Sequence, residues 1–131
     1  MNENKQLQAG VIGGNWGRVH VAGLRRAGCH VTALVAHDTT IASTIAAEEQ
    51  IPDHGSDIAI LRSCDLVTIA TPTATHLDFL QRLQNKTILC EKPLGLTPEN
   101  RFAFTELLQK NIFISYPFLH LECSKTLAQA I

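Results

Sequence analysis

The chain has 131 residues, 45% of them hydrophobic and 18% charged, and a formal net charge of −1. These are ordinary values for a single globular domain large enough to hold a core without disulfides or metal, and they offer no electrostatic reason for a nucleic-acid partner. No stretch approaches the ~18 apolar residues of a membrane span, and the polar start Met1 to Gln6 carries no secretory signal, so a cytoplasmic setting is expected.

Leu7 to Ile12 reads as a short apolar strand broken by Gly13-Gly14, after which Trp16, Val19, His20, Gly23 and Leu24 recur at helical spacing. His30 to Val35 is a second strand, and Asp38 or Thr39 can cap a helix running through Ala47. Ile51 to Ser56, with Pro52, Asp53 and Gly55, reads as a loop, and Asp57 to Arg62 as one or two helical turns. Asp65 to Ala70 is a continuous apolar strand of the kind buried on both faces. Thr71-Pro72-Thr73 ends it, and Thr75 to Leu83 turns helical, with Leu77, Leu80 and Leu83 on one side.

Thr87 to Cys90 is the next strand, and Thr97-Pro98-Glu99 is a helix start expected to lead to about Lys110. Ile112 to Tyr116 adds a strand and Leu121 to Ile131 a terminal helix. Strands alternating with helices through short links predict an α/β fold, a Rossmann-type doubly wound and mostly parallel sheet with helices on both faces.

Cys29, Cys64, Cys90 and Cys123 have no zinc-like spacing, so buried free thiols and no metal site are expected. Asn85-Lys-Thr87 matches a glycosylation acceptor, but without a secretory signal the match is read as chance.

In a doubly wound sheet the first strand-to-helix turn receives a dinucleotide's pyrophosphate, and glycine there lets backbone N–H groups come close. Gly13, Gly14, Asn15, Trp16 and Gly17 form such a turn, one residue shorter than the usual GxGxxG. Its alternative is a structural turn in an unrelated α/β domain. The end of the second strand selects the cofactor. Asp38, pointed at the ribose, favours NAD, whereas Ala36 in that place leaves room for a 2′-phosphate with His37 or Arg18 near it. Asp38 is equally readable as a helix cap, and the reading leans to NADP over NAD.

Val11-Ile-Gly13 with Gly17-Arg-Val-His20, Asp65 to Pro72 followed by Thr75-His76, and Ile88-Leu-Cys-Glu-Lys-Pro-Leu94 stand in an order and spacing that resemble the Gfo/Idh/MocA oxidoreductases. The resemblance implies an N-terminal nucleotide-binding domain followed by an α+β substrate domain that makes dimers. It also implies that Thr71, Pro72, Thr73 and His76 line the cofactor groove, with Glu91, Lys92 and Pro93 beside the nicotinamide. Lys92 is the candidate catalytic residue: its ammonium can hydrogen-bond a substrate hydroxyl or carbonyl and stabilise charge developing on oxygen. For an isolated lysine a solvated strand end is the better reading; its place between Glu91 and Pro93 reverses that. The Lys92–Pro93 bond is often cis in the family. The short glycine turn and Ala36-His37-Asp38 are closer to the thiazolinyl imine reductases, a branch using NADPH, while Glu91-Lys92-Pro93 follows the sugar-dehydrogenase pattern.

By this reading, residues 1–120 are the NAD(P)-binding domain. Phe113 to His120 resembles a crossing into a second domain, and 121–131 would begin a substrate domain that is otherwise missing. The expected function is hydride transfer to or from a small hydroxy, carbonyl or imine compound, completed by another domain, a partner chain or a homo-oligomer. A freestanding, non-catalytic dinucleotide-binding module is the alternative, and a methyl-donor or nucleotide binder of similar fold a third.

Overall fold

A computed structural model describes residues 5–95, 97–107, 111–116 and 129. Six parallel strands form one sheet: β1 (Gln8–Ile12), β2 (His30–Val35), β3 (Asp53–Gly55), β4 (Leu66–Ile69), β5 (Thr87–Glu91) and β6 (Ile112–Ser115). Their order across the sheet is β3-β2-β1-β4-β5-β6. Four helices connect them: α1 (Asn15–Arg26), α2 (Thr39–Glu49), α3 (His76–Arg82) and α4 (Arg101–Leu107). Short 3-10 turns at Ile58–Leu61, Thr73–Thr75 and Pro98–Asn100 complete the links.

The sheet separates two apolar clusters, because successive side chains on a strand point to opposite faces. On one face Ala9 and Val11 of β1 and Val31 and Leu34 of β2 meet Val21 and Leu24 of α1 and Ile45 of α2. On the other, Ile12, Val35, Val67 and Ile69 meet Leu80 and Leu83 from the α3 region and Phe104 and Leu107 of α4. Each large aliphatic side chain so buried is worth about 1.5–3 kcal/mol against exposure. The leucine repeat read in the sequence at positions 77, 80 and 83 serves this second cluster, with Leu77 packed at its margin.

One expectation is corrected. Residues 51–56 were expected to form a loop, yet Asp53–Gly55 is an edge strand, registered as Ala33 to Asp53, Leu34 to His54 and Val35 to Gly55. Nothing apolar marks it, because its side chains sit at the sheet edge and its strand state comes from main-chain pairing with β2. Two other expectations fall partly outside the described residues: the end of the fourth helix at 108–110, and the crossing and terminal helix beyond Tyr116. The cysteine expectation holds where it can be seen: Cys29, Cys64 and Cys90 are buried free thiols. Burial, and secondarily the Glu91 charge, pushes the Cys90 thiol up to about 12. Among the described residues no helix is long and apolar enough to cross a membrane.

Gly13 closes the turn between β1 and α1. Its φ of +149° lies where side chains are rarely tolerated, and an added Cβ would come within 2.5 Å of the Ala70 carbonyl oxygen. Gly13→Ala is therefore expected to destabilise the domain by about 1–3 kcal/mol from backbone strain alone, read as a lower urea midpoint at unchanged m-value.

Candidate functional site

The strand order reverses between β1 and β4, so the crossovers from these neighbours leave in opposite directions and open a crevice at their carboxyl ends. The glycine turn lies there. Gly13 N donates to Val35 O at 2.8 Å and Ala70 N to Ile12 O at 2.8 Å, which locks the ends of three adjacent strands together.

The helix behind this turn is left open at its positive end. Gly14 is the N-cap of α1 and supplies no side-chain hydrogen bond, the first turn has no acidic residue, and Asn15 and Trp16 are exposed. An uncapped helix N-terminus presents N–H donors and a partial positive charge to an anion. The next helix is built the other way. Asp38 Oδ1 accepts from Thr40 N at 2.7 Å and Ile41 N at 3.2 Å, so α2 is closed by its own carboxylate. Those two backbone bonds, that from Ile41 first, hold the Asp38 carboxyl below its ordinary range.

Gly17 is buried, and an added Cβ would lie 3.1 Å from Val11, so this glycine brings α1 onto the sheet rather than facing the turn's mouth. Arg18, one of two residues offered with His37 as a neighbour for a 2′-phosphate, is paired with Glu48 and Glu49 of α2.

Between the ends of β2 and β4 lies a cavity of about 400 Å³, largely apolar, lined by Ile12, Val35, Ala36, Ile58 and Phe79. Its polar margin includes His37, Ser56, Thr71, Thr75 and Arg82. The structure thus brings together the glycine turn, Ala36, His37, Thr71 and Pro72. Thr73 begins the 3-10 turn beside them and is not among the lining residues. Phe79 and Arg82 were missed from the sequence: Phe79 sits at the margin of the same apolar cluster as the leucines, so its spacing to Arg82 reads as part of an ordinary amphipathic helix.

Glu91, Lys92 and Pro93 follow directly at the end of β5, next to β4. Lys92 and Pro93 are exposed, and their peptide bond is cis. Glu91 is largely buried and pairs with His20 Nε2 of α1 at 2.9 Å, while Lys92 N donates to its other oxygen at 3.2 Å. Burial works to raise the Glu91 carboxyl, but hydrogen bonds from His20 and then Trp16 outweigh it and hold the group below its ordinary range. Trp16 itself remains exposed, at 57% of its surface. His20, readable in sequence as a packing histidine, is the α1 partner of the segment preceding Lys92.

His76 is placed differently from a groove-lining residue. It is fully buried, with Nδ1 3.1 Å from Pro93 O and Nε2 2.9 Å from Thr71 O.

A parallel sheet in this order, with an uncapped helix and an apolar cavity at its point of reversal, defines a dinucleotide-binding Rossmann domain. The chain belongs to the Gfo/Idh/MocA family, since residues 7–122 match the oxidoreductase family with an NAD-binding Rossmann fold. It is 32% identical over 91 residues to a D-xylose 1-dehydrogenase [NADP(+)] from Haloarcula marismortui, covering 63% of this chain and 25% of that protein. The UDP-N-acetylglucosamine 3-dehydrogenase structure from Acidithiobacillus ferrooxidans is 27% identical with a TM-score of 0.82, covering 95% of this chain and 43% of that one. An NAD binding oxidoreductase from Klebsiella pneumoniae shares the fold at 21% identity and a TM-score of 0.83, covering 95% and 38%. The chain therefore spans a quarter of the length of that curated relative and about two fifths of these structures.

The lowered Glu91 carboxyl sets a pH dependence. Its contribution to stability is present above the ordinary value of 4.5 and is lost as pH falls through the lower folded value. Glu91→Gln is expected to flatten this part of the acid limb in urea melts at stepped pH. An unchanged limb would show that the carboxylate is not held as described.

Proposed function

We propose that this chain is the cofactor-binding part of an oxidoreductase that transfers hydride to or from a small hydroxy, carbonyl or imine compound. The observation that carries the reading is the contrast between two helix ends: α1 is uncapped at the strand reversal while α2 is capped by Asp38. The open end of α1, with Gly13, Gly14, Asn15 and Trp16, would take the pyrophosphate. Thr71 and Pro72 would flank the chain of the cofactor beside it, with Thr73 at the margin. The apolar cavity suits an adenine, whose flat faces need apolar walls and whose edges need a few polar groups.

Cofactor choice follows from the same contrast. Asp38 spends its near oxygen on Thr40 and Ile41, and buried Ala36 lines the cavity where an acid would accept ribose hydroxyls. With no carboxylate at Ala36 and with His37 on the cavity margin, NADP is favoured over NAD. The D-xylose dehydrogenase relative is itself named for NADP.

The nicotinamide supplies the hydride acceptor or donor. The protein's part is to hold Lys92 next to it, with Glu91 anchored to His20 and Pro93 following, so that the exposed ammonium can bond the reacting oxygen or nitrogen of the substrate. The substrate pocket, and any partner chain, lie outside this domain in this reading. Exposed Phe113 and Tyr116 on and beside β6 favour a covering neighbour over a freestanding module.

The direct test is a thermal melt of the chain with NADPH, NADH and S-adenosylmethionine. A dinucleotide at a hundred times its Kd contributes about 2.7 kcal/mol and raises Tm by several degrees. NADPH should give the larger shift and S-adenosylmethionine none; no response to either nicotinamide would overturn the assignment. Lys92→Ala should keep the NADPH shift while abolishing turnover in the complete enzyme.

Ala36→Asp should weaken NADPH by about tenfold or more through charge repulsion while sparing or improving NADH. Equal affinities in the variant and the parent would refute the proposed basis of the NADP preference.

A further inference from the structure

The loops after β4 and β5 carry different parts of the proposed site, Thr71 on the cofactor side and Lys92 on the reacting side. One buried ring touches both. His76, the first residue of α3, lies 2.9 Å from the Thr71 carbonyl oxygen through Nε2 and 3.1 Å from the Pro93 carbonyl oxygen through Nδ1. Its side chain is wholly shielded from solvent, so neither contact competes with water.

Main-chain carbonyls accept hydrogen bonds and never donate them. A ring with hydrogen on one nitrogen donates to one loop and turns a lone pair toward the other carbonyl, whereas a ring with hydrogen on both donates to both. In either form the imidazole is the spacer that sets how far Thr71 stands from Pro93. A further hydrogen bond stiffens the Thr71 side, with Thr71 Oγ1 2.7 Å from Thr75 Oγ1, and Thr75 Oγ1 donates to Pro72 O at 2.8 Å. On the other side, Lys92 precedes Pro93 directly, and Lys92 N is bonded to Glu91. A shift of Thr71 would therefore reach Lys92 through the ring.

We propose that His76 is a positioning residue that couples the seating of the dinucleotide at Thr71 to the placement of Lys92, without itself touching cofactor or substrate. This rests on the dinucleotide reading above. It assigns His76 a role different from that of a groove-lining side chain, since the ring is buried with both nitrogens facing main-chain carbonyls.

The test has two parts, both on the chain as it stands. By NMR, a His76 ring N–H should exchange slowly with water and show cross-relaxation to residues on both sides, Thr71–Pro72 and Pro93–Leu94. A fast-exchanging ring proton, or contact with one loop alone, would overturn the proposal without any ligand being added.

The second part is hydrogen exchange with and without NADPH. In the parent chain NADPH should slow exchange in residues 71–75 and 91–95 together. In His76→Leu the slowing should persist at 71–75, while at 91–95 exchange should be about tenfold faster than in the bound parent, the effect of one lost buried hydrogen bond. His76→Gln, which retains a donor, should restore part of it. Equal NADPH protection of both segments in parent and variants would refute the coupling. Should neither variant fold, the ring N–H measurement on the parent chain decides. Absence of any NADPH effect in the parent would instead sink the dinucleotide assignment, with the ring measurement still deciding the place of His76.

Discussion

The whole arrangement depends on the reversal of strand order between β1 and β4. Neighbouring parallel strands whose crossovers depart to opposite sides leave a gap at their carboxyl ends that no connection covers. Gly13 permits the gap to be this narrow, because its backbone conformation and its approach to the Ala70 carbonyl leave no space for a side chain. The neighbouring strands are tied to the same point through Val35 and Ile12. The turn is therefore held by the sheet.

Around that point the protein distributes its polar groups unevenly. Asp38 closes α2, the two glutamates at the end of α2 take up Arg18, and the first turn of α1 has no side-chain cap. An isolated helix would be more stable with a capping side chain at its start, by about 1 kcal/mol. That α1 lacks one while α2 has one separates the helix end proposed to bind the cofactor from one closed by its own side chain.

The loop after β5, the proposed reacting side, is anchored by buried contacts from two directions. From α1, His20 grips Glu91, and from α3, His76 reaches the Pro93 carbonyl. Neither Lys92 nor Pro93 is itself buried. An exposed ammonium on a free loop would sample many positions, so its use in chemistry requires that the residues on either side be fixed. Here the side chain of Glu91 and the carbonyl of Pro93 are the fixed points.

Periodicity and turn chemistry made most of this fold legible in the chain alone. Apolar runs marked β1, β2, β4, β5 and β6, and Gly13-Gly14, Asp38 and Pro98 marked where helices begin, because local sterics and capping act within a few residues. The Asp53–Gly55 strand escaped, since its state comes from pairing with β2 and no hydrophobic pattern records it. The glycine turn and Lys92 were found as segments, along with the family they belong to. Only the tertiary structure decided that Asp38 is a cap, that Arg18 pairs with the end of α2, that Phe79 and Arg82 line the cavity, and that His20 and His76 hold the lysine loop. Each of those outcomes depends on which groups from distant parts of the chain arrive within hydrogen-bonding distance, and spacing along a sequence does not encode that distance.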